Sequence, residues 1–221
     1  MNGQGQKRKR GGGRAGNAQR RGSASIEQMP WHLPINNDSP IEPLNQDGVM
    51  AIHEGAMRIL EEIGVEFLNE KALSILKKAG CKISEQNVRM DRHFVMEMVA
   101  KAPSTFDITP RNVKRKITVG GPHILFGNVS SPPAYWDLEI GKKIPGSRET
   151  FADFCKLSQY FNCIHFLGGY PVEPVDLHPS TRHLDAVFDK LILSDKVAHA
   201  YSLGKERVED VMEMVLSLIH I

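Results

Sequence analysis

Two tyrosines, Tyr170 and Tyr201, stand at the ends of short apolar runs that read as β-strands, Ile164-His165-Phe166-Leu167 before the first and Val197-Ala198-His199-Ala200 before the second. If these runs are neighbouring parallel strands, both rings lie at the strands' C-terminal ends together with Gly169 and His199, where α/β barrels place their chemistry. Aromatic faces there can attract a cation. Recognition of quaternary ammonium groups uses this attraction, at about 0.5–2 kcal/mol per contact. Plain aromatic packing is the competing reading. Tyr170, Tyr201, His199 and Gly169 are the candidate substrate-binding residues, and no catalytic residue is assigned.

Other chemistries find less support in the spacing. Of nine histidines, His178 and His183 are five apart and do not share a helix face as an i, i+4 ligand pair would. His165 and His199 fall on neighbouring strands, and Cys163 shares a strand face with His165, which leaves a Cys/His set geometrically open. Packed histidines with satisfied ring nitrogens are the plainer reading, and no metal is expected. Gly120-Gly121, Gly127 and Gly168-Gly169 sit in loops, none opening a helix in the manner of a phosphate-cradling motif. No serine stands in a GxSxG elbow. The three cysteines, Cys81, Cys155 and Cys163, form no CxxC pair and read as buried, reduced thiols.

The elements that position these residues follow from periodicity. Apolar positions from Val49 to Ile63 recur at helical spacing after an Asn45 or Asp47 cap and stop at Gly64. A second helix runs from an Asn69 cap to Gly80, and a third from an Asp91 cap until Pro103. These three helices are expected to precede any sheet. Next come β-like segments, Thr105–Thr109, Ile117–Val119 and Ile124–Phe126, and a hairpin pairing Tyr135–Leu138 with Lys142–Ile144, read together as a small antiparallel layer. Thr150-Phe151-Ala152-Asp153 has the spacing of a capping box that opens a helix with an apolar stripe from Phe151 to Phe161. Strand Ile164–Tyr170, helix Pro179–Leu193 and strand Val197–Ser202 then form a βαβ crossover, followed by a helix over Lys205–Leu216.

Composition bounds the class. The chain is 41% hydrophobic with net charge +2, and its basic character belongs to residues 1–26, which carry seven Lys/Arg and no acid. Interleaved with glycine and nearly devoid of apolar residues, that tail is expected to be disordered. It could meet nucleic acid by counterion release, but it lacks aromatics to stack on bases, so nucleic acid is not the expected partner. Residues 27–45, with Pro30, Pro34, Pro40 and Pro43, read as an extended arm. Residues 46–148 hold the helical leader and small β layer, and 149–221 the first βα units. No run reaches the ~18 apolar residues of a membrane span, and no signal peptide is visible, so the expected place is the cytoplasm.

Several strings together resemble the trimethylamine methyltransferase family, particularly its pyrrolysine-free, glycine betaine:corrinoid branch. They are the Arg/Gly-rich leader, His53–Gly64, Phe126-Gly127-Asn128, Trp136-Asp137-Leu138-Glu139, Asn162–Phe166 and Asp195–His199. The resemblance implies a TIM barrel preceded by helices and a small β layer. It implies transfer of a methyl group from a methylated amine to a corrinoid carried by a partner protein, with no cofactor bound directly. It implies a homo-oligomer for the full-length enzyme. A quaternary amine such as glycine betaine is the preferred substrate, with trimethylamine behind it. No catalytic residue carries over onto this sequence. A (β/α)8 barrel needs about 250 residues, so the chain is expected to be an N-terminal fragment, inactive alone. Leu216–Ile221 breaks the amphipathic pattern, and about the last five residues are expected not to be native. The alternative, from another class, is a non-catalytic nucleic-acid-binding or scaffold protein working through the basic tail.

Overall fold

The computed structural model describes residues 26–219. The tail expected to be disordered lies outside the described residues except for Ile26, as do the last two of the residues expected to be foreign. The described chain is mixed α/β, with six α-helices, three small antiparallel sheets and one parallel strand pair, none of them closed. It divides into two compact units, Leu33–Leu125 and residues 26–32 with 126–219.

The Leu33–Leu125 unit begins with an arm whose backbone pairs with a later loop: Asn36 N–H donates to the Pro122 carbonyl and Ile124 N–H to that of Pro34. Helix α1 (Gln46–Arg58) starts where Asn45 Oδ1 accepts the Gly48 N–H at 2.9 Å. It runs into a π-helical turn at Ile59–Ile63 and ends at Gly64, whose φ is +84°. A Cβ there would meet the Asn87 side chain and the Val88 carbonyl, so glycine is required by both backbone and space. Asn69 caps α2 (Glu70–Lys78) and Asp91 caps α3 (Arg92–Ala100), each by a side-chain oxygen on a first-turn N–H.

Between these helices the chain forms a sheet, contrary to the expectation of helices alone. Strands β1 (Val65–Glu66), β2 (Lys82–Ser84) and β3 (Asn87–Arg89) pair antiparallel in the order β1-β3-β2. Arg92 locks α3 to α1 and the π-helical turn after it by forking onto Glu54 and Glu61 with N–O distances of 2.8 to 3.0 Å. Strands β4 (Thr105–Ile108) and β5 (Ile117–Gly120) form a separate antiparallel ladder. The segment expected as a strand at Ile124–Phe126 is none, because its neighbours His123 and Gly127 each make only an isolated bridge.

The other unit opens with the expected hairpin, β6 (Ala134–Asp137) and β7 (Lys142–Pro145), its turn held by Asp137 Oδ1 on the N–H groups of Glu139 and Ile140. The β-like segments therefore form not one layer but two ladders, one in each unit. The cap of helix α4 (Arg148–Tyr160) lies three residues before the expected Thr150. Ser147 is the true N-cap: its Oγ accepts the Thr150 N–H, and Thr150 Oγ1 accepts the Ser147 N–H at 2.8 Å, so threonine takes the place of the usual Glu/Gln. Strand β8 (Phe166–Leu167), helix α5 (Arg182–Leu193), strand β9 (Val197–Ala198) and helix α6 (Lys205–Ile219) complete the chain.

Strands β8 and β9 are parallel, with Phe166 opposite Val197 and Leu167 opposite Ala198. They are two-residue ladders within the longer runs expected, because Gly169 turns the chain at φ +75° just past β8. The core gathers Phe151, Cys155, Leu167, Tyr170, Val172 and Ala186, from α4, α5 and the β8 strand end. Arg148 ties α4 to α5 through Asp185 and Asp189. Cys155 is buried and its thiol pKa is pushed up to about 12 by desolvation, whereas Cys163, expected to be buried, is exposed in the loop before β8. Phe151 is fully buried. Phe151→Ala should cost about 3–5 kcal/mol, read as a lowered midpoint in urea unfolding.

Candidate functional site

The strand ends are extended by backbone bonds beyond the ladder itself. His199 N–H donates to the Leu167 carbonyl at 2.8 Å, continuing β9 along β8. On the other side of β8, His165 N–H reaches the Phe126 carbonyl at 2.7 Å and Ser131 N–H the Tyr170 carbonyl at 2.6 Å, so residues 126–131 line that edge. Asn128 fixes this segment by accepting the Gly168 N–H on Oδ1 at 2.9 Å. Three stretches of chain therefore end together, at 128–131, 168–171 and 199–203.

All four candidate residues meet there. Tyr170 and Tyr201 are edge to face with ring centroids 4.9 Å apart, and His199 meets Tyr201 in the same manner at 5.3 Å. Such pairings place the positive edge of one ring against the negative face of the next. The Tyr201 hydroxyl is hydrogen-bonded to the hydroxyls of Ser130 and Ser131. Ser131 itself has φ +56°, a conformation costly for a residue with a Cβ. A Cβ on Gly169 would collide with Ser130 Oγ and Tyr201 Oη. His199 is exposed, while Tyr170 is only 4% exposed and packs edge-on against Phe151 as well.

Beneath the tyrosines lies a buried cation. Lys190, on α5 and 1% exposed, donates from Nζ to the His199 carbonyl at 2.8 Å and stands 5.1 Å from the Tyr170 ring centroid. Burial pulls its pKa down to about 8. Three further histidines, His165, His183 and His178, make contacts within the fold. His165 is buried, its Nδ1 accepting the Phe126 N–H and its Nε2 against the His32 carbonyl at 3.0 Å, so that Nε2 carries the proton. Desolvation holds its pKa below the usual range. It is therefore committed to the fold and does not join Cys163 and His199 in a cluster. His183 pairs with Asp210 at 2.7 Å, and His178 Nδ1 with the Ser180 hydroxyl.

A cavity of about 410 Å³ opens at this point, lined by Tyr170, Tyr201, Ser131, Glu173, Arg182 and Arg207 among others. That volume suits a small organic ligand. Arg182 reaches Glu173 Oε1 at 2.6 Å and the Leu177 carbonyl at 2.9 Å; Arg207 donates to the Pro179 carbonyl at 3.1 Å. Sequence reasoning missed both arginines. For Arg182 a signal was present: it opens α5 after strand β8, and in parallel βα units helix N-termini lie on the side of the strand C-termini. Among the described residues no three His, Cys, Asp or Glu side chains converge as a metal-ligand set. No described helix is long and apolar enough to cross a membrane.

Fold and cavity together define a mixed α/β protein with a candidate small-molecule site at the ends of parallel strands. A sequence model of the trimethylamine methyltransferase (MTTB) family matches residues 10–219, and the chain belongs to that family. It is 34% identical over 175 residues to the glycine betaine methyltransferase of Desulfitobacterium hafniense (strain Y51), covering 79% of this chain and 36% of that protein. It is 26% identical over 141 residues to the trimethylamine methyltransferase MttB of D. hafniense (strain DSM 10664 / DCB-2), covering 62% of this chain and 28% of that protein. It is 38% identical over 69 residues to the proline betaine:corrinoid methyltransferase of Eubacterium limosum, covering 31% of this chain and 14% of that protein. The chain thus spans about a third of the length of the glycine betaine enzyme.

Two substitutions probe the site's construction. Gly169→Ala must adopt a left-handed backbone and displace Tyr201, and should cost about 2 kcal/mol or more, with a changed near-ultraviolet tyrosine dichroism. Lys190 releases its proton more readily folded than unfolded, so between about pH 8 and its ordinary value of 10.5 the unfolded state binds more protons and stability rises with pH. Urea midpoints of the native chain should climb across that window, and Lys190→Met should abolish the climb.

Proposed function

We propose that the protein containing this chain moves a methyl group from a quaternary amine, with glycine betaine preferred, to a corrinoid carried on a partner protein. Strands β8 and β9 are, in this reading, the first two strands of a (β/α)8 barrel, and the cavity beyond them is part of its substrate site. The observation that carries the reading is the Tyr170–Tyr201 pair at the mouth of the cavity, in a chain belonging to a methyltransferase family.

When the corrinoid is present, its Co(I) supplies the nucleophile for the displacement. The chain's own residues are left with binding and orientation. Tyr201 offers its ring to the ammonium and is itself fixed through its hydroxyl by Ser130 and Ser131. Tyr170 backs it edge-on and is buried. Gly169 brings the backbone close to Tyr201, and His199 supports the outer side of the same ring. The amine departs with the electron pair of the broken C–N bond, so a quaternary substrate needs no acid to protonate its leaving group. The free thiols Cys81, Cys155 and Cys163 favour a reducing, cytoplasmic setting.

The full-length gene product, mixed with glycine betaine and a reduced corrinoid protein, should form dimethylglycine and methylate the corrinoid in equal amounts. Omission of the corrinoid protein should stop the reaction. Equal turnover without it would overturn the mechanism.

A further inference from the structure

The cavity beside Tyr170 and Tyr201 carries more positive than negative charge. Glu173 and Arg182 neutralise each other across 2.6 Å, and Arg182 spends a further N–H on the Leu177 carbonyl. Arg207 stands apart from that pair. Its hydrogen bond goes to the neutral Pro179 carbonyl, and among the described residues no carboxylate is within ion-pair distance of it. A guanidinium has five N–H donors in a planar fork that matches a carboxylate. Arg207 also lies in the first turn of α6, where the unsatisfied amide N–H groups add positive potential. Lys190 places another cation under Tyr170.

A ligand that is only a cation would meet the uncompensated positive charge of Arg207, with that of Lys190 behind Tyr170. One that is a zwitterion meets it correctly, with its anionic end on the guanidinium and its ammonium on an aromatic face. Tyr170 already has the Lys190 ammonium near its ring, so the ring left for the ligand is that of Tyr201. We infer that Arg207 binds the carboxylate of a betaine-type zwitterion and is the residue that separates betaines from methylated amines lacking an acid group. This rests on the cavity being the substrate site in the proposed function.

The test is calorimetric titration of the full-length gene product, its Arg207→Met variant and its Arg207→Lys variant with glycine betaine and with tetramethylammonium. The native protein should bind glycine betaine at least tenfold more tightly than tetramethylammonium. Arg207→Met should lose tenfold or more in glycine betaine affinity with tetramethylammonium unchanged, and Arg207→Lys should recover part of the loss. Unchanged glycine betaine binding by a folded Arg207→Met protein overturns the assignment, as does equal binding of the two ligands by the native protein. Loss of both ligands in Arg207→Met and in Arg207→Lys marks a structural role and also overturns it. The functional reading is separable: Arg207-dependent binding without demethylation in the presence of reduced corrinoid protein would refute the activity and leave the assignment standing. Demethylation unaffected by Arg207→Met would do the reverse.

Discussion

Lys190 is the side chain on which the candidate site depends. An ammonium this deeply buried is expensive unless its donors find acceptors, and Lys190 finds them at the two places that matter, the His199 carbonyl past β9 and the ring of Tyr170 past β8. One residue of α5 therefore touches the ends of both parallel strands. This matters because the β8–β9 ladder is only two residues long, too short to dictate where the chain goes beyond it. The positions of Tyr170, His199 and Tyr201 are set by side-chain ties: Lys190 from below, Asn128 on the Gly168 N–H, and the two serines on the Tyr201 hydroxyl.

The same device recurs at the other end of the strands. Lys196, just before β9, is buried and donates from Nζ to the carbonyls of Ser158 and Phe161, each at 2.7 Å. These belong to the last turn of α4 and its C-cap, where carbonyls lack intrahelical partners. A cation there also complements the negative end of the helix. Gln159 adds a second link, accepting the Ser194 hydroxyl and donating to Asp195. Two lysines pointed at carbonyls thus hold helix, strand and helix together at opposite ends of a very short parallel pair. Apolar packing of Phe151, Leu167 and Val172 fills the space between.

What could be read from the sequence was local. Asn45, Asn69 and Asp91 announce helices because a cap needs only the next two or three residues to act. Strands β1 to β3 left no comparable mark: each has two or three residues, and their pairing depends on partners up to two dozen positions away. The shift of the α4 start from Thr150 to Ser147 has a similar cause, since a threonine can serve as a cap or, as here, as the N3 member of the box. At the site, the tyrosines, Gly169 and His199 were visible because they follow apolar runs. Lys190 and Arg207 were not, because lysine and arginine on an amphipathic helix are ordinarily solvated. Only the tertiary placement of α5 and α6 turns one inward and brings the other to the cavity.

The charge around the cavity is informative in light of the reaction proposed for it. In methyl transfer from a quaternary amine, the substrate nitrogen begins with a full positive charge and ends neutral, so positive potential at that point opposes the ground state more than the transition state. Interactions that differ between the two states are the ones that accelerate chemistry. Arg207 and Lys190 together supply such potential, provided the hold of the Tyr201 ring on the ammonium is supplemented by a second anchor elsewhere on the substrate. A carboxylate on Arg207 meets that condition. Binding energy gained at the anionic end then keeps the cationic end in a place it would not choose alone, and the strain is relieved as the methyl group leaves. Trimethylamine in its neutral form carries no ammonium charge to relieve and no carboxylate to anchor it, so the same cavity would give it neither advantage.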